Sequence, residues 1–134
     1  MVFNWLVLAT DGHAKNYSLM LSGHQVRLAP LHDIASALLH LDHPRKARMA
    51  QKIGGEYRPG FVQRRHWQRL ARPFGLDPDE ACARIVSLAE RLPDALTDAA
   101  HESSLTTEER HVADTISNQI TAWAGERVLE LASS

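Results

Sequence analysis

Asp11-Gly12-His13-Ala14-Lys15-Asn16 places a carboxylate, an imidazole, an ammonium and an amide within six residues, directly after the apolar run Phe3 to Ala9. A further carboxylate, Asp33, follows a short way downstream. A carboxylate such as Asp11 can accept or orient the proton of an attacking hydroxyl. Mg²⁺ takes hard oxygen ligands, usually one or two carboxylates together with phosphate oxygens. Asn16, through its side-chain oxygen, and Asp33 supply oxygens of that kind. Lys15 suits contact with charge developing on a transferred group, and His13 suits ordering of the loop by hydrogen bonding. These types together fit phosphoryl transfer from ATP, which asks a protein mainly for positioning and charge neutralisation.

The neighbouring elements must bring Asn16 and Asp33 together. Val2 to Ala9 reads as a two-turn helix too apolar for a surface. Nothing like Ser, Thr or Asp caps its start, so it is expected to be the remainder of a longer helix, with Phe3 or Trp5 leaning on a missing or neighbouring partner. Thr10 to Asn16 is a loop. Tyr17 to Leu21 and Val26 to Ala29 alternate as strands around a turn at Ser22-Gly23-His24-Gln25, and Pro30 ends their pairing. This hairpin holds Asn16 at its entrance and Asp33 just past its exit.

Beyond it, Ile34 to Leu41 reads as a short helix, and Met49 to Ile53 as a brief strand within a loop. Phe61 to Phe74 reads as a helix stopped by Gly75. Asp77-Pro78 starts another, which Pro93 kinks or divides before Ala95 to Ala100. Thr106 or Thr107 caps a final helix from Glu108 to Leu131, with a stripe that includes Val112, Ile116, Ile120, Trp123 and Leu131. Met20, Met49, Trp67 and Trp123 fall at core spacings. The sum is a mainly α chain (α+β) with one small hairpin.

The chain has 134 residues, enough for one domain with a substantial core. Hydrophobic content of 44% and charged content of 23% are those of an ordinary soluble domain. A single cysteine, Cys82, excludes an internal disulfide framework and Cys-based zinc clusters. No apolar run is long enough for a membrane span and the start lacks the basic residues of a signal peptide, which points to a cytoplasmic protein without a membrane partner. The net charge of -1 gives no general attraction to nucleic acid. Even so, nine of the 15 basic residues lie between Arg45 and Arg72. That segment is either a solvated face or a surface for phosphates, an acidic partner, or DNA held through another protein.

Asp11 and Asn16 are five residues apart, the spacing of the catalytic Asp and metal-holding Asn in protein kinases. The stretch from Phe3 to Leu19, the segment Arg27-Leu28-Ala29-Pro30-Leu31-His32-Asp33-Ile34 and, less specifically, Lys52-Ile53-Gly54-Gly55-Glu56-Tyr57 resemble the catalytic region of the HipA toxin kinases. These are bacterial serine/threonine kinases paired with helix-turn-helix antitoxins. The resemblance implies the helical carboxy-terminal lobe of a HipA-like, protein-kinase-like fold over residues 1–134. Its catalytic loop and hairpin would span 10–33, the hairpin carrying the metal site, with a helical remainder over 34–134. It implies Asp11 as catalytic residue, Asn16 and Asp33 as Mg²⁺ ligands, ATP as phosphate donor, a protein substrate, an antitoxin partner, and DNA contact only through that antitoxin. The amino-terminal ATP-binding lobe of such kinases is expected to be absent, because Gly54-Gly55 lies downstream and has neither the spacing nor the strand context of a nucleotide loop.

Two further readings stand beside the kinase. One is a non-catalytic module that docks a separate amino-terminal lobe or an antitoxin through the first helix and the basic segment. The other is a metal phosphohydrolase of the HD type, using His13 and the His32-Asp33 pair. That fold requires its His-Asp pair on a helix, whereas this pair follows Pro30 at a hairpin exit.

Overall fold

The computed structural model describes residues 1–102 and 104–133. It is mostly helical, with one antiparallel hairpin, as the sequence pattern predicts. The elements are α1 (Val2–Leu6), β1 (Leu19–Ser22), β2 (Gln25–Leu28), α2 (Arg64–Ala71), α3 (Pro78–Ala100) and α4 (Thr107–Ala132), with several single 3₁₀ turns between them. No helix among the described residues is long and apolar enough to cross a membrane.

α1 lies at the centre of the core rather than on its edge. Trp5 is fully enclosed: its indole N–H donates to the Pro59 carbonyl at 3.0 Å, and its own carbonyl accepts from the Trp123 indole at 3.0 Å. Its ring meets Trp67 edge to face at 5.3 Å. Trp5 therefore leans on no external partner, while Phe3 is only partly buried against the same cluster. The helix is shorter than the predicted Val2 to Ala9. Leu8 adopts a left-handed conformation (φ 53°), and the Leu8 and Ala9 amides donate back to the Trp5 and Asn4 carbonyls at 3.3 and 2.7 Å. That pairing is a Schellman stop built on leucine instead of glycine, and the complete burial of Leu8 offsets the strain.

α3 and α4 pack against each other and α2 packs on α3, with Ile85, Leu92, Ile120 and Leu131 in the shared core. Asp77 caps α3 by accepting from the Asp79 and Glu80 amides at 2.9 and 2.8 Å, with Pro78 at the first position. Pro93 does not divide the helix, which runs unbroken to Ala100. For α4 the cap is Thr106: its hydroxyl accepts from the Glu109 amide, and the Glu109 carboxylate accepts from the Thr106 amide. Cys82 is a buried thiol whose pKa is raised by desolvation, so it is packing material.

Other expectations fail for local reasons. The helix expected over 34–41 is reduced to a 3₁₀ turn, Leu38–His40, because the Ala37 amide is taken by the Leu8 carbonyl at 3.0 Å. The helix expected over 61–74 is broken into Pro59–Phe61, α2 and Arg72–Phe74, since Pro59 and Pro73 favour tight turns. Gly75 at φ 68° stops it as predicted. The strand expected near Met49 to Ile53 amounts to one bridge, Ile53 with Glu56. Met20 and Val112 are exposed rather than core. Arg127, missed by the periodicity, is fully buried, with its guanidinium 4.3 Å from the Trp123 ring and bonded to Glu126 and Glu130.

Candidate active site

The hairpin acts as the positioning device. β1 and β2 pair from Leu19 with Leu28 to Ser22 with Gln25, and Gly23 at φ 58° makes the tight two-residue turn. Beyond the ladder, the Ala29 amide donates to Ser18 at 2.8 Å, which holds the two ends of the hairpin together. Asp33 has φ 56°, a left-handed conformation that aspartate tolerates better than branched residues. The Asn16 side-chain Nδ2 then donates to Asp33 Oδ2 at 3.1 Å, across 17 residues of sequence.

Asn16 is buried and serves both sides of the loop. Its Oδ1 accepts from the His13 amide at 2.9 Å, closing the turn Ala14–Asn16. His13 Nδ1 lies 2.8 Å from Asp11 Oδ1 and 2.9 Å from the Asp11 carbonyl. Asp11, His13, Asn16 and Asp33 thus form one connected chain of contacts, with Asp11 and Asp33 exposed at its ends. Lys15 is exposed, and its side chain makes no ion pair or hydrogen bond among the described residues.

Two residues that sequence reasoning missed support the loop. Asn4, on α1, is buried, and its amide donates to the Tyr17 hydroxyl at 3.3 Å. Gly12 rests directly on Asn4, and a Cβ at position 12 would overlap the Asn4 amide nitrogen. The signal available in the sequence was the polar Asn4 inside an apolar run. The Thr10 carbonyl also accepts from the Ala50 amide at 2.8 Å, tying the loop to the segment after the hairpin.

These residues line a cleft of about 60 Å³, floored by Asn4 and Tyr17 and rimmed by Asp11, Asn16 and Asp33. The donor set suits a hard divalent cation. Among the described residues Asp33 Oδ1 has no hydrogen-bond partner, and Asn16 Oδ1 accepts one bond and keeps a second lone pair. No group of three or more His, Cys, Asp or Glu side chains converges on a metal position among the described residues, which leaves the HD-type reading without its ligand set. His32 is exposed, and His66 is buried as a cap of α2, accepting from the Gln63 amide at 2.9 Å. Desolvation, aided by the Arg65 charge, lowers the His66 pKa, the direction that favours the neutral ring an acceptor nitrogen requires.

The fold is shared with known proteins. Over 98% of this chain, the fold superposes with a TM-score of 0.78 and 22% identity on a solved structure of the Shewanella oneidensis MR-1 toxin–antitoxin system, HipA with HipB and its operator DNA. The chain covers 30% of that protein. Y4mE, a curated Sinorhizobium fredii (strain NBRC 101917 / NGR234) protein whose name marks it as a candidate kinase, is 27% identical over 103 residues. That match takes in 77% of this chain and 24% of Y4mE, so this chain spans less than a third of the length of either relative. The family model described as the HipA-like C-terminal domain matches residues 1–96, which include the loop, the hairpin and both carboxylates. On that match the chain belongs to the HipA-like C-terminal domain family.

Proposed function

We propose that this chain is the carboxy-terminal catalytic lobe of a HipA-like toxin kinase, which transfers the γ-phosphate of ATP to a serine or threonine of a protein. The single observation that carries the reading is the contact between Asn16 and Asp33, reached from Asp11 through His13. The Asn16 side chain meets Asp33 through its nitrogen, and Asp11, Asn16 and Asp33 line one cleft. Asp11 would receive the proton of the acceptor hydroxyl as its oxygen bonds to the γ-phosphorus and ADP departs with the bridging oxygen. Asn16 and Asp33 would hold Mg²⁺, which when bound neutralises phosphate charge. Lys15 would face the transferred group, and His13 keeps Asp11 oriented.

A cleft of about 60 Å³ is too small to enclose a whole nucleotide, since ligand sites run to about 300 Å³ or more, so this lobe alone would hold Mg²⁺-ATP only weakly, by its phosphate end. The hairpin above it exposes Leu19, Leu21, Val26 and Leu28. An apolar surface of that kind fits cover by an amino-terminal lobe, so the chain is expected to be inactive alone. The partner reading follows the solved relative, which is bound to an antitoxin: a helix-turn-helix protein is the proposed partner here, with DNA reached only through it.

The alternative of a non-catalytic docking module draws support from the apolar groove of about 450 Å³ along α2 and α3, where Trp67, Phe74 and Leu88 meet Met1 and Val2. Phosphotransfer in the presence of an amino-terminal lobe separates the two. The kinase reading expects serine or threonine labelling that falls about 100-fold or more in Asp11→Asn. Labelling that persists in Asp11→Asn would remove Asp11 from the chemistry.

A further inference from the structure

Ion pairing divides the basic residues between positions 45 and 72 into two groups. Arg45, Arg58 and Arg64 are matched within the fold, by Glu130 at 2.7 Å, Glu56 at 2.9 Å and Asp79 at 2.8 Å. Lys46, Arg48, Lys52, Arg65, Arg69 and Arg72 have no carboxylate partner among the described residues, and of these Arg48 and Lys52 share one aromatic ring. The Arg48 guanidinium lies 4.8 Å from the centre of the Tyr57 ring and the Lys52 ammonium 5.8 Å from it, and neither has a carboxylate partner among the described residues. Both side chains are exposed. A ring face orients a cation without cancelling its charge, so two open positive charges are held over one tyrosine.

The place of this cluster gives it meaning. Ala50, between Arg48 and Lys52, donates its amide to the Thr10 carbonyl at 2.8 Å, one residue before Asp11. The Met49 amide donates to Tyr57 at 2.8 Å, and the Arg69 guanidinium donates to the Gly54 carbonyl at 3.1 Å. The platform is therefore pinned on one side to the catalytic loop and on the other to α2. We infer that Arg48, Lys52 and Tyr57 form a docking site for an acidic stretch of the protein substrate, close to its acceptor serine or threonine. The term substrate rests on the phosphotransfer reading above. Two open cations suit two or three carboxylates in a peptide. They would neutralise too few phosphates for firm nucleic-acid binding, and the net charge of -1 adds no wider attraction.

The test is fluorescence anisotropy with the whole chain and no nucleotide or metal, so its outcome is independent of the Mg²⁺-ATP site. The probes are a serine peptide flanked by Asp and Glu, the same peptide flanked by Lys and Arg, and a single-stranded oligonucleotide of the acidic peptide's charge. Only the acidic peptide should bind. Its affinity should fall about tenfold or more in Arg48→Gln/Lys52→Gln and stay unchanged in Arg72→Gln, an exposed basic residue elsewhere. With the unmodified chain, binding should weaken steadily as salt rises. Equal binding by the double variant, no binding by the unmodified chain, or tighter binding of the oligonucleotide would overturn the inference. Peptide binding through Arg48 and Lys52, with no Asp11-dependent labelling once an amino-terminal lobe is supplied, would uphold the docking surface and discard the phosphotransfer reading.

Discussion

Asn16→Asp is the substitution that most sharply probes the link between loop and hairpin. It keeps an acceptor for the His13 amide but replaces the donor that now faces Asp33 Oδ2 at 3.1 Å with a second carboxylate. The lost hydrogen bond costs about 1 kcal/mol. Two like charges about 4 Å apart repel by about 1 kcal/mol in water and about 4 kcal/mol at an effective dielectric constant of 20. Asp33 is exposed, so the lower part of that range applies, and the expected total is about 2–3 kcal/mol. For a domain of this size that corresponds to a melting point lower by about 6–12 °C at neutral pH in EDTA. The new carboxylate has its folded pKa raised by Asp33, so the deficit is present above that pKa and shrinks as pH falls through it. A divalent cation between the two carboxylates should also restore the melting point, an effect Asn16→Ala would lack. Calorimetric melts at neutral and mildly acidic pH, with and without Mg²⁺, check all three. If Asn16→Asp melts with the unmodified chain in EDTA, or loses as much stability in acid as at neutral pH, the Asn16–Asp33 contact does not hold the site.

Further expectations concern the frame around the site. The Glu56 carboxylate accepts from the Arg58 side chain and from the Tyr57 and Arg58 amides, which lowers its pKa from the ordinary 4.5 to about 2. Its stabilising contribution is complete above pH 4.5 and is lost as pH falls through about 2, so Glu56→Gln should flatten that acid limb in urea unfolding. An unchanged limb would mean that Glu56 is not held as described. Gly54 has φ 54° and a Cβ there would strike the His66 backbone, whereas Gly23 at φ 58° faces open space. Gly54→Ala should therefore cost about 2 kcal/mol or more and Gly23→Ala about 1 kcal/mol, read from denaturant midpoints. Equal costs would show that the turn does not rest on α2.

The grouping of the candidate site's residues was more legible in the sequence than the helices around them. Asp11, Asn16 and Asp33 could be grouped because turn residues and a proline delimit a hairpin, and a hairpin's ends must meet. The caps at Asp77 and Thr106 were legible for a similar reason: a side chain there bonds its own backbone. The misread stretches depend on partners far along the chain. Nothing near Ala37 announces that its amide belongs to Leu8, and nothing near Leu8 announces a left-handed stop on leucine. Arg127 reads as a surface residue until Trp123, Glu126 and Glu130 are seen to enclose it. Asn4 was hidden by the apolar run that contains it, although it carries the floor of the cleft.

A catalytic role for this lobe requires that Asn16 and Asp33 hold a metal-bound nucleotide. Titration of isotopically labelled chain with Mn²⁺-ATP, followed by paramagnetic broadening of its amide signals, detects even weak binding. Broadening centred on Gly12, Asn16 and Asp33 in the unmodified chain, and abolished in Asp33→Ala, is the predicted result. Broadening that survives in Asp33→Ala, or that centres away from the hairpin, would contradict it.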